Sequence, residues 1–253
     1  MLCDKQREAC GRRPGSRRIM KSTVDEIRER FDKDVERFSN LETAQLSTID
    51  APLVLELVTK AAAATSPHAT HILDIGCGAG NYTLKLLREL PNLNVTVADL
   101  SQPMLERAVQ RIRPATNGEI TAAQADIRQL SLRELRFDII FAAAVFHHLR
   151  TDDEWKNVFA KCYAALKPGG SLWISDLIDH STPSIQTLMW RRYGEYLAEV
   201  KDAQYRDDVF AYIEKEDSPR PLLFQIDLLR EVGFRSVEIL HKNSCFAAFG
   251  AIK

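Results

Sequence analysis

No stretch of the 253-residue chain approaches the roughly 20 consecutive apolar residues needed to cross a bilayer, so no membrane-spanning helix is expected. Neither sign of charge is in excess: 34 basic and 35 acidic residues leave a formal net charge of −1. Such a balance supplies no global field to recruit nucleic acid, and no direct nucleic-acid partner is expected. Cysteine is sparse and odd in number. Cys3, Cys10, Cys77, Cys162 and Cys245 lack the paired spacing of a metal site, so no metal is expected, and they read as reduced thiols of a cytoplasmic protein. The first nineteen residues lack an apolar h-region, which excludes a secretory signal. Lys5, Arg7, Arg12, Arg13, Arg17 and Arg18 would suit a nucleic-acid arm, but the preferred reading of 1–20 is a disordered extension, with Met20 as an alternative start. There is no internal repeat and no low-complexity core.

What is present begins with His71–Asn81, HILDIGCGAGN. It runs apolar through Ile72, Leu73 and Ile75 and then turns on Gly76, Gly78 and Gly80. A buried strand entering a glycine turn brings backbone N–H groups close to a ligand, because no Cβ intervenes. Asp99 closes the next apolar run, VTVAD, where an acid can accept hydrogen bonds from ribose hydroxyls. Together they indicate a nucleoside-cofactor site. A nicotinamide dinucleotide would want G-x-G-x-x-G, whereas the glycines here stand at 76, 78 and 80, followed by Asn81 and Tyr82.

Around this segment, helical and β-rich runs alternate. Thr23–Phe38 has helical spacing, and a second helix to about Thr65 starts at Asp50-Ala51-Pro52, with Asp50 as its cap. Strands are expected at 71–75, 94–99, 119–124, 137–143 and 171–176, with helices at 80–89, 102–112 and 152–166 between them. Ser184–Tyr205 reads as one aromatic helix, Pro219 and Pro221 interrupt, and helix 222–231 follows. Strands 235–240 and 245–252 are too closely linked to be anything but antiparallel. The expected fold is therefore α/β: a Rossmann-like, mostly parallel seven-stranded sheet ending in an antiparallel hairpin, with an N-terminal helical cover.

Five segments in order carry a family resemblance: LDIGCGAGN, ADLSQPML, QADIRQL, FDIIFAAAVFHHL and LKPGGSL. Over about 60–252 the chain resembles the class I S-adenosylmethionine-dependent methyltransferases. The resemblance implies S-adenosylmethionine as cofactor. It places Gly76 and Gly78 near the methionine portion, Asp99 on the ribose, and Leu100, Asp126 and Ile127 around the adenine, with Asp74, Cys77 and Met104 as further cofactor-binding residues. It divides the chain into 1–20, a helical cover at 21–66, and a methyltransferase domain at 67–253 with an insertion at about 182–220 over the acceptor site. That segment can equally reach a neighbouring subunit, so a homodimer is considered. The acceptor is expected to be a small molecule.

Methyl transfer needs chiefly in-line positioning of the acceptor, with a general base only where the acceptor is protonated. His147 and His148 are the candidate catalytic residues, and Phe146, Trp190 and Tyr193 the candidate acceptor-pocket residues. A narrower resemblance, in FSNL (38–41), the helix after Trp190 and the ending CFAAFGAIK, is to the carboxy-S-adenosylmethionine synthases, which use prephenate for wobble-uridine modification of transfer RNA. In that register Phe38 and Ala143 take the places of a cofactor-contacting tyrosine and asparagine, and Lys201 that of an arginine gripping the added carboxylate. Lysine lacks arginine's bidentate fork, and alanine has nothing to donate. The expectation is thus methyl transfer, with the synthase, and a cofactor-binding protein without catalysis, as alternatives.

Overall fold

Seven short runs form one sheet in the computed structural model, which describes residues 20–40, 46–132, 134 and 136–253. The basic segment 1–19, with Cys3 and Cys10, and Leu41 of FSNL lie outside the described residues. The strands are β1 His71–Ile75, β2 Asn94–Asp99, β3 Ile120–Gln124, β4 Phe137–Ala143, β5 Leu166–Leu177, β6 Ser236–Asn243 and β7 Phe246–Ile252. Their order is β3-β2-β1-β4-β5-β7-β6, with β7 antiparallel to both neighbours and the other pairs parallel. β5 starts earlier than expected. Its Leu166 pairs with Phe137 and its Ser171 with Ile139, so Lys-Pro-Gly-Gly is taken up as an irregularity within the strand.

Period-two alternation sends neighbouring side chains to opposite layers. Ile72, Ile139 and Phe141 pack on one face with Val54, Val58 and Ala62 of α3 (Ala51–Thr65), Leu86 of α4 (Asn81–Leu86) and Ala108 and Ile112 of α5 (Gln102–Ile112). Leu73, Ile75, Ile140 and Ala142 pack on the other with Trp155, Phe159 and Cys162 of α6 (Asp152–Ala165) and Leu229 of α9 (Leu222–Glu231). Trp155 is fully buried and its Nε1–H donates to the Leu149 carbonyl at 3.1 Å, so its hydrophobic area is buried without stranding a donor.

The cover departs from the expected helices. Thr23–Phe38 is two helices, α1 Val24–Lys33 and α2 Val35–Ser39, broken at Asp34, whose N–H donates back three residues to Phe31. Ser184–Tyr205 is likewise not continuous. α7 (Pro183–Val200) ends before Lys201, and Asp202 caps α8 (Ala203–Glu216) by accepting the Tyr205 N–H at 2.7 Å. Gly194 lets α8 approach α7, since a Cβ there would lie 3.2 Å from the Phe210 ring. Asp50 does not cap α3 with its side chain. It sits at φ 57° and accepts from His241 and Asn243, at 2.9 and 2.8 Å, pinning the start of α3 to β6. Among the described residues no helix is long and apolar enough to cross a membrane.

Candidate functional site

The strand order reverses between β1 and β4, and open α/β sheets bind ligands outside the carboxyl ends of the strands at such a point. A cavity of about 580 Å³ lies there, within the size range of small-molecule sites. Its floor comes from the ends of β1, β2, β4 and β5, and its roof from Phe31 and Phe38 of the cover and Tyr205, Val209 and Tyr212 of α8.

Backbone geometry shapes the floor. Gly76, Gly78 and Gly80 all have positive φ, at 62°, 49° and 81°. A Cβ on Gly76 would stand 2.3 Å from Val145 Cγ2, and one on Gly80 would stand 3.1 Å from Ile112. The first glycine thus fits the turn against the β4 loop, and the third lets α4 sit close on α5. The Gly78 N–H donates to Asp99 Oδ2 at 2.9 Å and the Ser101 N–H to Asp99 Oδ1 at 2.9 Å, so the carboxylate is held facing the cavity. Burial pushes its acidity down, against those backbone donors. Asp74 is deeper still: burial raises its pKa to about 7, and the Thr83 hydroxyl donates to its carboxylate at 2.7 Å. Burial also raises the Cys77 thiol well above its ordinary value, which makes it a space-filling group of the turn and not a ready thiolate.

At the other end, Asp126 is already engaged. Arg128 Nε donates to both of its oxygens at 3.0 Å, the Arg128 N–H donates to Oδ1 at 2.8 Å, and Arg128 Nη1 reaches Glu154 at 3.2 Å. Burial acts upward on Asp126, but the Arg128 bonds outweigh it and hold the pKa below the usual value. Arg128 Nη2 also donates to Oδ2, so Arg128 alone engages the roughly four lone-pair sites of the carboxylate.

The end of β4 leads into a strained turn and a histidine cluster. Ala144 takes φ 56°, a left-handed conformation costing about 1–2 kcal/mol for a residue with a Cβ. A single 3₁₀ turn, Phe146–His148, follows. Asp176 accepts the N–H groups of Phe146, His147 and Leu177, at 2.8, 3.2 and 2.8 Å, and also binds His147 Nδ1. Asp217, just past α8, places Oδ1 3.6 Å from His147 Nε2 and 3.3 Å from His148 Nδ1. Burial acts to lower the His147 pKa, but the charges of Asp176 and Asp217 prevail and bring it to about 9. Burial, then the adjacent His147, drive His148 well below its ordinary value, and burial raises Asp217 to about 6.

Most residues singled out from the sequence line this one cavity: Phe38, Asp74, Gly76, Cys77, Gly78, Asp99, Leu100, Met104, Asp126, Ile127, Ala143, His147, His148 and Tyr193. Three do not. Phe146 is fully buried against Trp155 and Phe159, because its position in the 3₁₀ turn points it into the core. Trp190 packs edge-on to Phe210 at 5.2 Å within the α7–α8 pair. Lys201 is exposed at the α7–α8 break, its ammonium 5.3 Å from the Tyr205 ring centre. Arg30, Arg128, Tyr212 and Asp217 line the cavity without having been singled out. Arg128 follows two residues after an expected acid and was findable as its partner. Asp217 meets the histidines only through tertiary folding, which no local pattern signals.

Residues 72–170 match the family described as a methyltransferase domain. Over 119 residues the chain is 30% identical to an uncharacterized methyltransferase of Mycobacterium bovis, covering 47% of this chain and 55% of that one. The chain thus spans about half the length of the first curated relatives it matches. A carboxy-S-adenosyl-L-methionine synthase of Shewanella woodyi is 26% identical over 194 residues, 73% of this chain and 76% of that one. Among solved structures, the N-methyltransferase NodS of Bradyrhizobium japonicum, in complex with S-adenosyl-L-homocysteine, superimposes with a TM-score of 0.60 at 20% identity, covering 88% of this chain and 98% of that one. That likeness is one of fold. The family match, 72–170, runs from β1 into β5 and so spans the glycine turn, Asp99, Asp126 and the His147–His148 turn.

Proposed function

We propose that the protein binds S-adenosylmethionine in the cavity at the β1–β4 switch point and transfers its methyl group to a small-molecule acceptor. The observation that carries this reading is the pairing of Gly78 and Asp99: one backbone amide fixes a cavity-facing carboxylate beside a glycine turn. In the proposed pose Asp99 takes the ribose hydroxyls, Leu100 and Ile127 pack on the adenine, and Asp126 accepts its amino group in exchange for one of its Arg128 contacts. Asp74 and the backbone of the glycine turn face the methionine portion. Asp74 is held near neutrality by burial, so an arriving ammonium would favour its ionised form.

The roof then confines the acceptor in line with the S–CH₃ bond. Without a bound cation, His147 is protonated at neutral pH and cannot take a proton, and His148 is neutral but weakly basic. Neither is a well-matched general base, so the reading rests on positioning. Buried, unpaired Cys77, Cys162 and Cys245 suit the cytoplasmic setting expected from the sequence.

The breadth of the likeness to the Shewanella woodyi synthase favours a second reading, a carboxymethyl-forming enzyme. Against it, Lys201 is exposed and does not line the cavity, while Arg30 and Arg128, which do, are bonded to Glu216 and Asp126. Mass spectrometry of the ligand that co-purifies with the protein separates the two. Methyl transfer predicts S-adenosylmethionine or its demethylated product. A carboxylated cofactor, retained or formed on incubation with prephenate, would replace the first reading with the second.

A further inference from the structure

The turn after β4 and the residue after α8 bring together three side chains whose polar atoms converge without bonding to one another. One ring nitrogen each of His147 and His148 and a carboxylate oxygen of Asp217 lie within 4.8 Å of one another, and all three residues line the cavity. Both ring nitrogens of His148 and Asp217 Oδ1 are buried without a hydrogen-bond partner. Stranding buried polar atoms costs about 1–3 kcal/mol each, so such a cluster wants a ligand that accepts their lone pairs.

We infer that His147, His148 and Asp217 form a binding site for a divalent first-row transition metal ion, with its remaining coordination positions open to the cavity. Zinc sits ~2.0–2.2 Å from histidine nitrogen and carboxylate oxygen, so neighbouring ligand atoms around it stand ~2.9–3.5 Å apart. Asp217 Oδ1 stands 3.3 Å from His148 Nδ1 and 3.6 Å from His147 Nε2, close to that spacing. Two histidines and a carboxylate are also a donor set that suits zinc, iron and cobalt better than magnesium or calcium.

The surroundings match a metal-binding histidine. His147 uses Nδ1 on Asp176, which fixes the ring and turns Nε2 toward the cluster, the orienting role that carboxylates play behind ligating histidines. Asp176 is itself held by three backbone N–H groups. The nearest cations are committed elsewhere. Arg30 is neutralised by Glu216 at 3.0 Å, and Lys21 caps the main-chain carbonyls of Glu214 and Asp217. The edge of the Phe31 ring covers His148, with ring centres 6.1 Å apart, so the ion would be reached from the cavity side. No metal was expected from the sequence, because the cysteines lack the spacing and the three ligands come from two distant segments.

The test uses the full-length protein with cobalt(II) as spectroscopic probe and zinc(II) in calorimetry. One cobalt per chain is expected, with the intense visible bands of a four- or five-coordinate ion, displaced by zinc. H148A and D217N should lose those bands and weaken zinc at least 100-fold, while H180A, outside the cluster, keeps both. Where a variant fails to fold by circular dichroism, zinc-dependent shifts of the His147 and His148 ring nitrogens in the unaltered protein give the same answer by NMR. No stoichiometric binding to the unaltered protein, or binding undiminished in folded H148A and D217N, would overturn the inference and leave the cluster as a buried ion pair. Cofactor binding is read separately with S-adenosylhomocysteine, so failure of the metal site and failure of the methyltransferase reading are distinguishable.

Discussion

The floor of the cavity closes over a short stretch of chain: the Gly78 amide, in the turn after β1, meets Asp99, the last residue of the adjacent β2, across 21 residues. The roof closes over most of the molecule. Arg30 of α1 meets Glu216 of α8 across 186 residues, at 3.0 Å, and also donates to the Tyr212 hydroxyl at 2.8 Å. The floor is fixed by backbone conformation and the sheet register, which local sequence dictates. The roof is fixed by side-chain contacts between elements that fold apart. Floor lesions should therefore abolish recognition, whereas roof lesions should loosen the molecule first.

The largest expected effect is on the floor. Asp99→Ala removes two charge-assisted bonds to backbone as well as the proposed ribose contacts, and each such bond is worth about 1.5–3 kcal/mol. Affinity for S-adenosylhomocysteine should fall by about 100-fold or more by calorimetry, with the fold retained by circular dichroism. A tenfold loss or less would reduce the floor to a structural turn.

Arg30→Ala is the matching lesion of the roof. It leaves Glu216, only 6% exposed, without its cation, and should lower unfolding stability by about 2 kcal/mol in urea titrations. Cofactor affinity should fall much less than for Asp99→Ala. Equal losses of affinity would erase the distinction between floor and roof.

This division also explains what could be read beforehand. The seven strands and the antiparallel ending follow from apolar runs, glycine turns and link lengths, and Gly76, Gly78 and Asp99 line one cavity at the ends of those strands. The roof was misread at its breaks. Asp34 and Asp202 each sit in a run with helical periodicity, and what interrupts the helix is a backbone bond to Phe31 in one case and a side-chain cap on Tyr205 in the other. Phe146, Trp190 and Lys201 share the motif segments of lining residues, but the direction in which each points depends on a 3₁₀ turn or a helix break. Asp217 had no local signature at all.

A pH measurement probes the floor more finely. In the folded protein burial lifts Asp74 to about 7, whereas an unfolded aspartate titrates near ~3.9. Between those values the folded state holds a proton that the unfolded state has released, so this group's contribution to stability is present at low pH and declines as pH rises toward 7. Denaturation of Asp74→Asn should show a shallower decline across that window than the unaltered protein. An identical slope would mean that Asp74 is ionised throughout. Smaller still, Ala144→Gly relieves a left-handed residue at the cavity edge and should raise stability by about 1 kcal/mol in the same titrations. Lys201→Ala, at the exposed break, should leave cofactor affinity unchanged; a clear loss would bring Lys201 into the site and revive the carboxylate-gripping role.

The most direct test of the central claim is calorimetric titration of the full-length protein with S-adenosylhomocysteine. The account predicts one saturable site per chain, lost in Asp99→Ala and retained in Lys201→Ala. No binding to the folded, unaltered protein, or binding that survives Asp99→Ala undiminished, would contradict it.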